Sequence, residues 1–175
     1  EAAGPQVAAS PGSQGAAAIN KTMVKTLPYL QKMREDLKIT HQTGERDLPL
    51  VGDAYRRFGI DAEVHAFITD MPAAYARADL VICRAGATSL AEITAAGKPS
   101  VLIPYPFAAN DHQTKNARVM ADAGAAVMIP ESELDAEKLF AVLEGLFSDD
   151  AKLREMGASS ARLGRPGAAA EIVDA

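Results

Sequence analysis

Residues 79–92 read DLVICRAGATSLAE, an apolar run followed at once by small and hydroxyl-bearing residues. The run from Leu80 to Cys83 has the composition of a buried strand, and Gly86 marks a turn after it. Helical spacing begins near Ser89. A strand that turns directly into a helix is typical of α/β domains, and the helix start offers free backbone N–H groups to an anion or hydroxyl. This stretch predicts a nucleotide pocket.

A second unit of the same form follows, with a longer loop. Residues 100–103 predict another buried strand, and the loop after it, residues 104–111, leads to His112, Gln113 and Asn116. Neighbouring parallel strands end at one edge of a sheet, so these polar groups are expected near the first helix start. They suit hydrogen bonding to a polar ligand such as a sugar. The alternative is an ordinary helix start capped by Asp111, with an exposed histidine.

Short apolar runs alternate with helical patterns along the whole chain, which is the rhythm of a parallel sheet. The expected strands are residues 7–9, 37–41, 63–68, 80–83, 100–103 and 126–129, and the expected helices are residues 16–30, 45–58, 89–96, 113–123, 135–147 and 149–163. The first strand has only small side chains and is either short or frayed. We predict an α/β, doubly wound, Rossmann-like parallel sheet of about six strands. It forms one domain, residues 1–164, followed by a helical tail, residues 165–175.

Composition excludes several functional classes. The 175 residues are 48% hydrophobic, enough for one α/β core, and the net charge is −5 with scattered Lys and Arg. Duplex nucleic acid needs a clustered basic face, so no nucleic-acid partner is expected. No apolar run approaches the roughly 20 residues that span a bilayer, so we expect a soluble, cytoplasmic chain.

The cysteine and histidines do not form a metal or redox motif. Cys83 is the single cysteine and lies in an apolar strand pattern, where core packing is favoured over nucleophilic chemistry. His41 and His65 lie in strand patterns without a second ligand at metal spacing. We predict no metal site and no cofactor.

Three further positions carry open alternatives. Gly12-Ser13-Gln14-Gly15 precedes a helix, and it either receives a diphosphate or supplies Ser13 as a helix cap. Glu92 follows Ser89 by three residues, so it either completes a capping box or grips the two hydroxyls of a ribose. Arg84 either pairs with a phosphate or forms a structural salt bridge.

Several motifs in order resemble the carboxyl-terminal half of the MurG family, the bacterial peptidoglycan N-acetylglucosaminyltransferases. They are Gly12-Ser13-Gln14-Gly15-Ala16, His41-Gln42-Thr43-Gly44, Phe67-Ile68 with Asp70-Met71, Cys83-Arg84-Ala85-Gly86-Ala87-Thr88, Ala91-Glu92-Ile93 and Asp111-His112-Gln113-Thr114-Lys115-Asn116-Ala117. The resemblance implies a GT-B enzyme of two Rossmann-like domains. This half would bind UDP-N-acetylglucosamine, and a missing amino-terminal domain would bind lipid I at the cytoplasmic face of the inner membrane to give lipid II.

The resemblance also implies a role for each matching residue. Ser13, Gln14 and Gly15 would contact the diphosphate. Ile68 would meet uracil through its backbone beside Phe67, and Glu92 would hold the ribose. The remaining positions follow the same likeness: Ala87, Thr88 and Ser89 would line the phosphate and sugar region beside Arg84, and His112, Gln113 and Asn116 would orient N-acetylglucosamine.

The sequence departs from the family at Ser10-Pro11-Gly12, where paired glycines are expected before the diphosphate loop. The family's catalytic base belongs to the other half, so no catalytic residue is assigned. We expect this chain alone to bind donor without transferring sugar.

The alternative function is that of a non-catalytic UDP-sugar-binding subunit that needs a separate membrane-associated acceptor subunit. A third hypothesis is a related epimerase or glycolipid transferase.

Overall fold

The computed structural model describes residues 4–12, 16–33 and 35–164, which fold into a parallel sheet covered by helices. The strands are β1 Gln6–Ser10, β2 Lys38–Gln42, β3 Asp61–His65, β4 Leu80–Cys83, β5 Ser100–Leu102 and β6 Ala126–Met128. The helices are α1 Ala16–Met33, α2 Leu48–Arg57, α3 Met71–Arg77, α4 Ala87–Ala96, α5 His112–Asp122, α6 Ala136–Phe147 and α7 Asp150–Leu163. Short 3₁₀ turns at Ala109–Asp111 and Glu131–Glu133 lie before α5 and α6.

The strand order is β3-β2-β1-β4-β5-β6, with every neighbouring pair parallel. The predicted doubly wound α/β sheet of six strands is therefore confirmed. The chain builds outward from β1 to β3, then crosses to the other side of β1 and builds outward again. Such a reversal opens a crevice between the carboxyl ends of the two strands that flank it, here β1 and β4.

Helices cover both faces of the sheet, which explains why its inner strands are continuously apolar. One core contains Leu80 and Ile82 with side chains of α1, α2 and α6, and the other contains Val81 and Cys83 with side chains of α3, α4 and α5. Successive strand residues point to opposite faces, so β4 contributes to both cores. Ala8 and Ala9 are buried in the same way in β1, whose small residues fill a central strand rather than a frayed end.

Several element boundaries differ from expectation, and three differences bear on the site. β3 ends at His65, so the segment with Phe67 and Ile68 lies beyond the strand. α3 was not predicted, although Asp70 caps it by accepting the Ala73 N–H at 3.1 Å. α4 begins two residues before the predicted start, because its N-cap is the extended Gly86.

α7 packs closely on α4 through small residues. A Cβ added to Gly164 would stand 2.6 Å from the Thr94 carbonyl oxygen, and one added to Gly157 would stand 3.0 Å from the Gly97 carbonyl oxygen. Gly97 ends α4 in the left-handed conformation, which favours glycine. None of the described helices is long and apolar enough to cross a membrane. The predicted helical tail, residues 165–175, lies outside the described residues.

Candidate nucleotide-binding site

The crevice at the carboxyl ends of β1 and β4 is where the sheet brings the predicted residues together. Ser10 and Cys83 are paired in register at those strand ends, and the chain after Cys83 enters α4 within a few residues. Gly86 supplies no side-chain cap, and the first helical hydrogen bond runs from the Leu90 N–H to the Gly86 carbonyl. The N–H groups of the first turn of α4, before Leu90, have no helical acceptor. This turn is therefore a position where an anion can bind.

The first turn of α4 contains three of the predicted residues, Ala87, Thr88 and Ser89. Thr88 is exposed and Ser89 is half-buried, so both hydroxyls are near solvent. Their position agrees with the predicted phosphate and sugar region. Their contact with a ligand stays a prediction.

Glu92 does not form a capping box, contrary to one of its two interpretations. A capping box would require Ser89 to be the N-cap, whereas the N-cap is Gly86 and Glu92 is the sixth helical residue. Its half-buried carboxylate therefore has no capping role. Of the two functions considered for it, ribose binding is the one that the geometry leaves open.

Tyr75, from the unpredicted helix α3, lies beneath this crevice. Burial is the main cause that raises the pKa of its hydroxyl, with smaller contributions from Cys83 and Glu92. Polar contacts with the side chains of Ser10 and Ser89 act in the opposite direction on that pKa. Tyr75 therefore connects α3 to the end of β1 and to the first turn of α4.

Gln113 and Asn116 lie at the crevice, but their described hydrogen bonds are to backbone. The Gln113 Oε1 accepts the N–H groups of Ala85 at 3.1 Å and of Tyr105 at 2.9 Å. The Asn116 Nδ2 donates to the Ala85 carbonyl at 3.2 Å. Both side chains are buried, and together they fix the loop that leads into α4. The contact of each with a sugar stays a prediction.

His112 is the first residue of α5 and is half-buried. Its Nδ1 is buried and makes no hydrogen bond with the described residues. The residue before it, Asp111, takes the N-cap position in the left-handed conformation, at φ 55°, and its side chain does not cap. Asn110 is also left-handed, at φ 51°. The ordinary N-cap considered as the alternative is therefore wrong, and the loop is held in a conformation that non-glycine residues rarely adopt.

Arg84 makes the contacts of its structural alternative. Its side chain is 5% exposed, and Nη1 lies 2.6 Å from the Glu131 carboxylate. Nη1 also donates to the carbonyls of Ile103 at 3.2 Å and Pro104 at 3.3 Å. The guanidinium carbon lies 5.5 Å from the centre of the Tyr105 ring. A role in binding phosphate stays a prediction, but these contacts do not require a ligand.

The segment after β3 approaches the same edge from the other side of β1. Phe67 is 65% exposed, and the Ile68 N–H donates to the Gln42 Oε1 at 2.8 Å. The Ile68 N–H is therefore occupied, so any backbone contact with uracil falls to its carbonyl. Sequence reasoning did not assign a role to Gln42. The feature that could have indicated a role for Gln42 is its place in the motif His41-Gln42-Thr43-Gly44, where it is the last residue of β2.

Behind Gln42, a buried network joins β2 to α1 and α2. Asn20 Nδ2 donates to the Thr43 carbonyl and to the Asp47 carboxylate, both at 2.9 Å. Its Oδ1 must therefore accept, and His41 Nε2 donates to it at 2.7 Å. His41 Nδ1 then accepts the Tyr55 hydroxyl at 2.8 Å. His41 therefore has a structural role in this network, which holds the loop after β2.

Some predicted features lie outside this geometry. Ser13, Gln14 and Gly15 are not among the described residues, so the diphosphate loop stays a prediction; Gly12 before it has φ 80°. Cys83 is fully buried in the core, and burial raises its pKa to about 12. No group of three or more metal-ligating side chains occurs within the described residues.

A groove of about 700 Å³ lies at the opposite edge of the sheet, against α7. Two of its polar side chains take part in internal hydrogen bonds: Asp79 accepts the Gln6 N–H at 2.8 Å, and Lys98 Nζ donates to the Ala76 carbonyl at 3.0 Å. Ligands of doubly wound sheets bind at the carboxyl edge instead. The crevice is therefore the better candidate site.

Comparison with known proteins identifies the family to which this chain belongs. The family model for the glycosyltransferase family 28 C-terminal domain matches residues 10–172. A UDP-N-acetylglucosamine–N-acetylmuramyl-(pentapeptide) pyrophosphoryl-undecaprenol N-acetylglucosamine transferase from Syntrophus aciditrophicus is 53% identical over 93% of this chain and 45% of its own length. The enzyme of the same name from Anaeromyxobacter dehalogenans is 50% identical over 93% of this chain and 43% of its own length.

A solved structure shows the same fold. The crystal structure of Acinetobacter baumannii MurG superposes with a TM-score of 0.83 at 34% identity, covering 94% of this chain and 49% of that one. The chain thus spans less than half the length of these relatives.

Proposed function

This chain belongs to the family of glycosyltransferase family 28 C-terminal domains, and on that premise we propose that it is the donor-binding half of an inverting hexosyltransferase. The enzyme moves N-acetylglucosamine from UDP-N-acetylglucosamine to lipid I in peptidoglycan synthesis. An amino-terminal domain supplies the acceptor site, and the whole enzyme works at the cytoplasmic face of the inner membrane. The names and the 50–53% identity of the curated relatives support this proposal.

The observation that carries the proposal is the pairing of an uncapped helix start with a nearby carboxylate at the switch point of the sheet. The first turn of α4 presents N–H groups without helical acceptors, which favour a diphosphate. Glu92 lies on the same helix, one turn further along, and its carboxylate can accept hydrogen bonds from two ribose hydroxyls. Ile68 and Phe67 supply the uracil contacts on the opposite side of β1.

The chemistry follows from this placement. The acceptor hydroxyl attacks the anomeric carbon of N-acetylglucosamine from the face opposite the diphosphate, the bond to UDP breaks, and the configuration inverts. Negative charge develops on the leaving diphosphate, where the N–H groups of α4 and of the loop with Ser13, Gln14 and Gly15 stabilise it. His112, Gln113 and Asn116 orient the sugar. The base that accepts the hydroxyl proton lies on the acceptor domain.

Calorimetric titration with UDP, 2′-deoxy-UDP and UDP-N-acetylglucosamine tests the proposal. We expect the wild-type chain to bind UDP, and Glu92→Gln to lose about 1–3 kcal/mol of that binding. The 2′-deoxy ligand should bind wild type more weakly than UDP, and the Glu92 substitution should weaken its binding less than it weakens that of UDP, since only the bond to the 3′ hydroxyl remains to be lost. Glu155→Gln removes an exposed carboxylate on α7 and is the matched control.

Two results would contradict the proposal. Equal loss of UDP and 2′-deoxy-UDP affinity in the Glu92 variant would place Glu92 away from the ribose. No binding of UDP to the wild-type chain would remove the donor-binding function itself. A transfer assay with lipid I then compares the chain alone with the chain plus an acceptor domain. We expect transfer only when the acceptor domain is added.

A further inference from the structure

We propose that Arg84 is a positioning residue, held by Glu131, that sets the conformation of the β5–α5 loop, residues 103–111, and so shapes the sugar side of the donor site. The juxtaposition that points to this is one buried guanidinium in contact with the loops after β4, β5 and β6. The proposal rests on the proposed function, because that function assigns the sugar to the residues that follow this loop.

The first step is the ion pair. Arg84 is the residue directly after β4, and Glu131 begins the 3₁₀ turn after β6. Their 2.6 Å contact therefore spans β5 and joins two loops that are distant in the chain. The arginine side chain is 5% exposed and that of the glutamate 30%, so the pair is largely shielded from water. Opposite charges attract more strongly where water is excluded, and removing one partner of such a pair leaves the other as an uncompensated buried charge.

The second step is the loop between them. Arg84 donates to the Ile103 and Pro104 carbonyls, which open the β5–α5 loop, and its guanidinium lies over the Tyr105 ring. The Tyr105 N–H donates to Gln113 at 2.9 Å. The start of the loop is thus tied both to β4 and to α5.

The third step concerns the far end of the loop and the site residues that follow it. Its far end, Asn110 and Asp111, has left-handed backbone that costs free energy in non-glycine residues. His112 and Gln113 follow immediately. Because such a conformation persists only where its surroundings impose it, anchoring the first half of the loop fixes where these two side chains stand.

A direct role of Arg84 as a phosphate ligand fits the contacts less well. A phosphate would have to enter a site that leaves 5% of the arginine side chain exposed, next to the negative charge of the Glu131 carboxylate. The two roles make opposite predictions for Glu131. Removing its charge would free Arg84 to bind phosphate, but it would loosen the loop if Arg84 is a positioning residue.

Three variants separate these roles: Arg84→Lys, Glu131→Gln and the double substitution. UDP and UDP-N-acetylglucosamine are titrated into each, and amide hydrogen exchange is measured at Ala108 and Asp111, whose N–H groups bond within the loop. Glu133→Gln, an exposed carboxylate of the same turn, is the control. We expect each single variant to bind UDP-N-acetylglucosamine about tenfold more weakly and UDP about equally well. The double variant should lose no more than either single one, and loop exchange should accelerate in all three.

Other outcomes overturn the proposal. If Arg84→Lys weakens both ligands equally while Glu131→Gln leaves or tightens them, Arg84 is a phosphate ligand. If loop exchange stays at the wild-type rate in the folded variants, the pair does not position the loop. Arg84→Lys keeps the charge and so provides a folded variant if Glu131→Gln unfolds the chain. Absence of UDP binding by wild type would refute the donor function, whereas the exchange measurement still tests the loop.

Discussion

Acid should destabilise this domain through His41, which is the buried base of the network behind Gln42. The imidazole is fully buried, and its two nitrogens are satisfied in the neutral form, with Nε2 donating to Asn20 and Nδ1 accepting from Tyr55. Burial lowers its pKa from 6.5 to about 4, and the nearby Asp47 charge opposes that shift. Protonation would remove the acceptor that Tyr55 uses and place a charge in the core.

The sign and size follow from this pKa. Below pH 6.5 the histidine of the unfolded chain binds a proton, whereas that of the folded chain stays neutral until about pH 4. Folding stability is therefore lost as the pH falls through this window, and no further loss arises from His41 below it. At about 1.4 kcal/mol for each pKa unit, the loss at its full extent is about 3 kcal/mol.

Urea unfolding from about pH 7 to about pH 4 measures this loss, with His41→Gln as the variant. The substituted chain should be less stable at neutral pH, but the difference in unfolding free energy from wild type should shrink as the pH falls. Carboxylates titrate in both proteins, so the comparison isolates the histidine. His65→Gln removes an exposed histidine and is the matched control. A constant difference between wild type and His41→Gln across the window would refute the reasoning.

Three further changes test other contacts. Gln42→Ala removes the acceptor of the Ile68 N–H, so calorimetry should show UDP affinity reduced by about 1 kcal/mol, and an unchanged affinity would place the segment after β3 away from the uracil. Gly164→Ala places a Cβ 2.6 Å from the Thr94 carbonyl and should lower the unfolding free energy by about 1–3 kcal/mol in urea, while equal stability would mean that α7 can shift freely. Cys83, with its pKa raised to about 12 by burial, should react with a thiol reagent only when the chain unfolds, and fast labelling of the folded chain would contradict its place in the core.

The architecture was predictable because its signals are local and repeated. Apolar runs bounded by turn residues recur at the spacing of strand and helix units, and the described strands occur where those runs were found. The family resemblance drawn from the motifs is confirmed by the match over residues 10–172. The small residues of β1 were the ambiguous case. They are explained by a central position covered on both faces, which no local pattern shows.

The predicted and observed elements differ where a sequence pattern was short, or where apolar residues occur for a reason other than core packing. α3 has seven residues, too few for a clear helical period, although Asp70 followed by Pro72 is a helix-start signal. The predicted third strand was extended to Ile68 because apolar residues continue past His65, yet Phe67 is largely exposed at the edge of the sheet. Its apolarity does not serve the core, and the proposed contact with uracil would account for it.

The site was predictable as a set of positions but not as a set of contacts. Arg84 had two open interpretations because its partner, Glu131, lies far along the chain and has no pattern that links the two. Gln42 was missed for the same reason, since its bond to Ile68 joins the end of β2 to the segment after β3. Hydrogen bonds between loops depend on the register and curvature of the sheet, which periodicity does not encode.

The contacts also decide which residues can report on the ligand. Gln113 and Asn116 hold Ala85 from its N–H and its carbonyl, so substituting either one moves the entry to α4 along with any bond to a sugar. Weaker binding in those variants has two explanations that affinity alone does not separate. Thr88 and Glu92 point from α4 without such a bond to the backbone of the described loops, and they can change ligand affinity while α4 keeps its position. The ribose experiment on Glu92 is therefore the sharper test of donor binding, and variants of Gln113 become informative only after hydrogen exchange has shown that the Ala85 loop is unmoved.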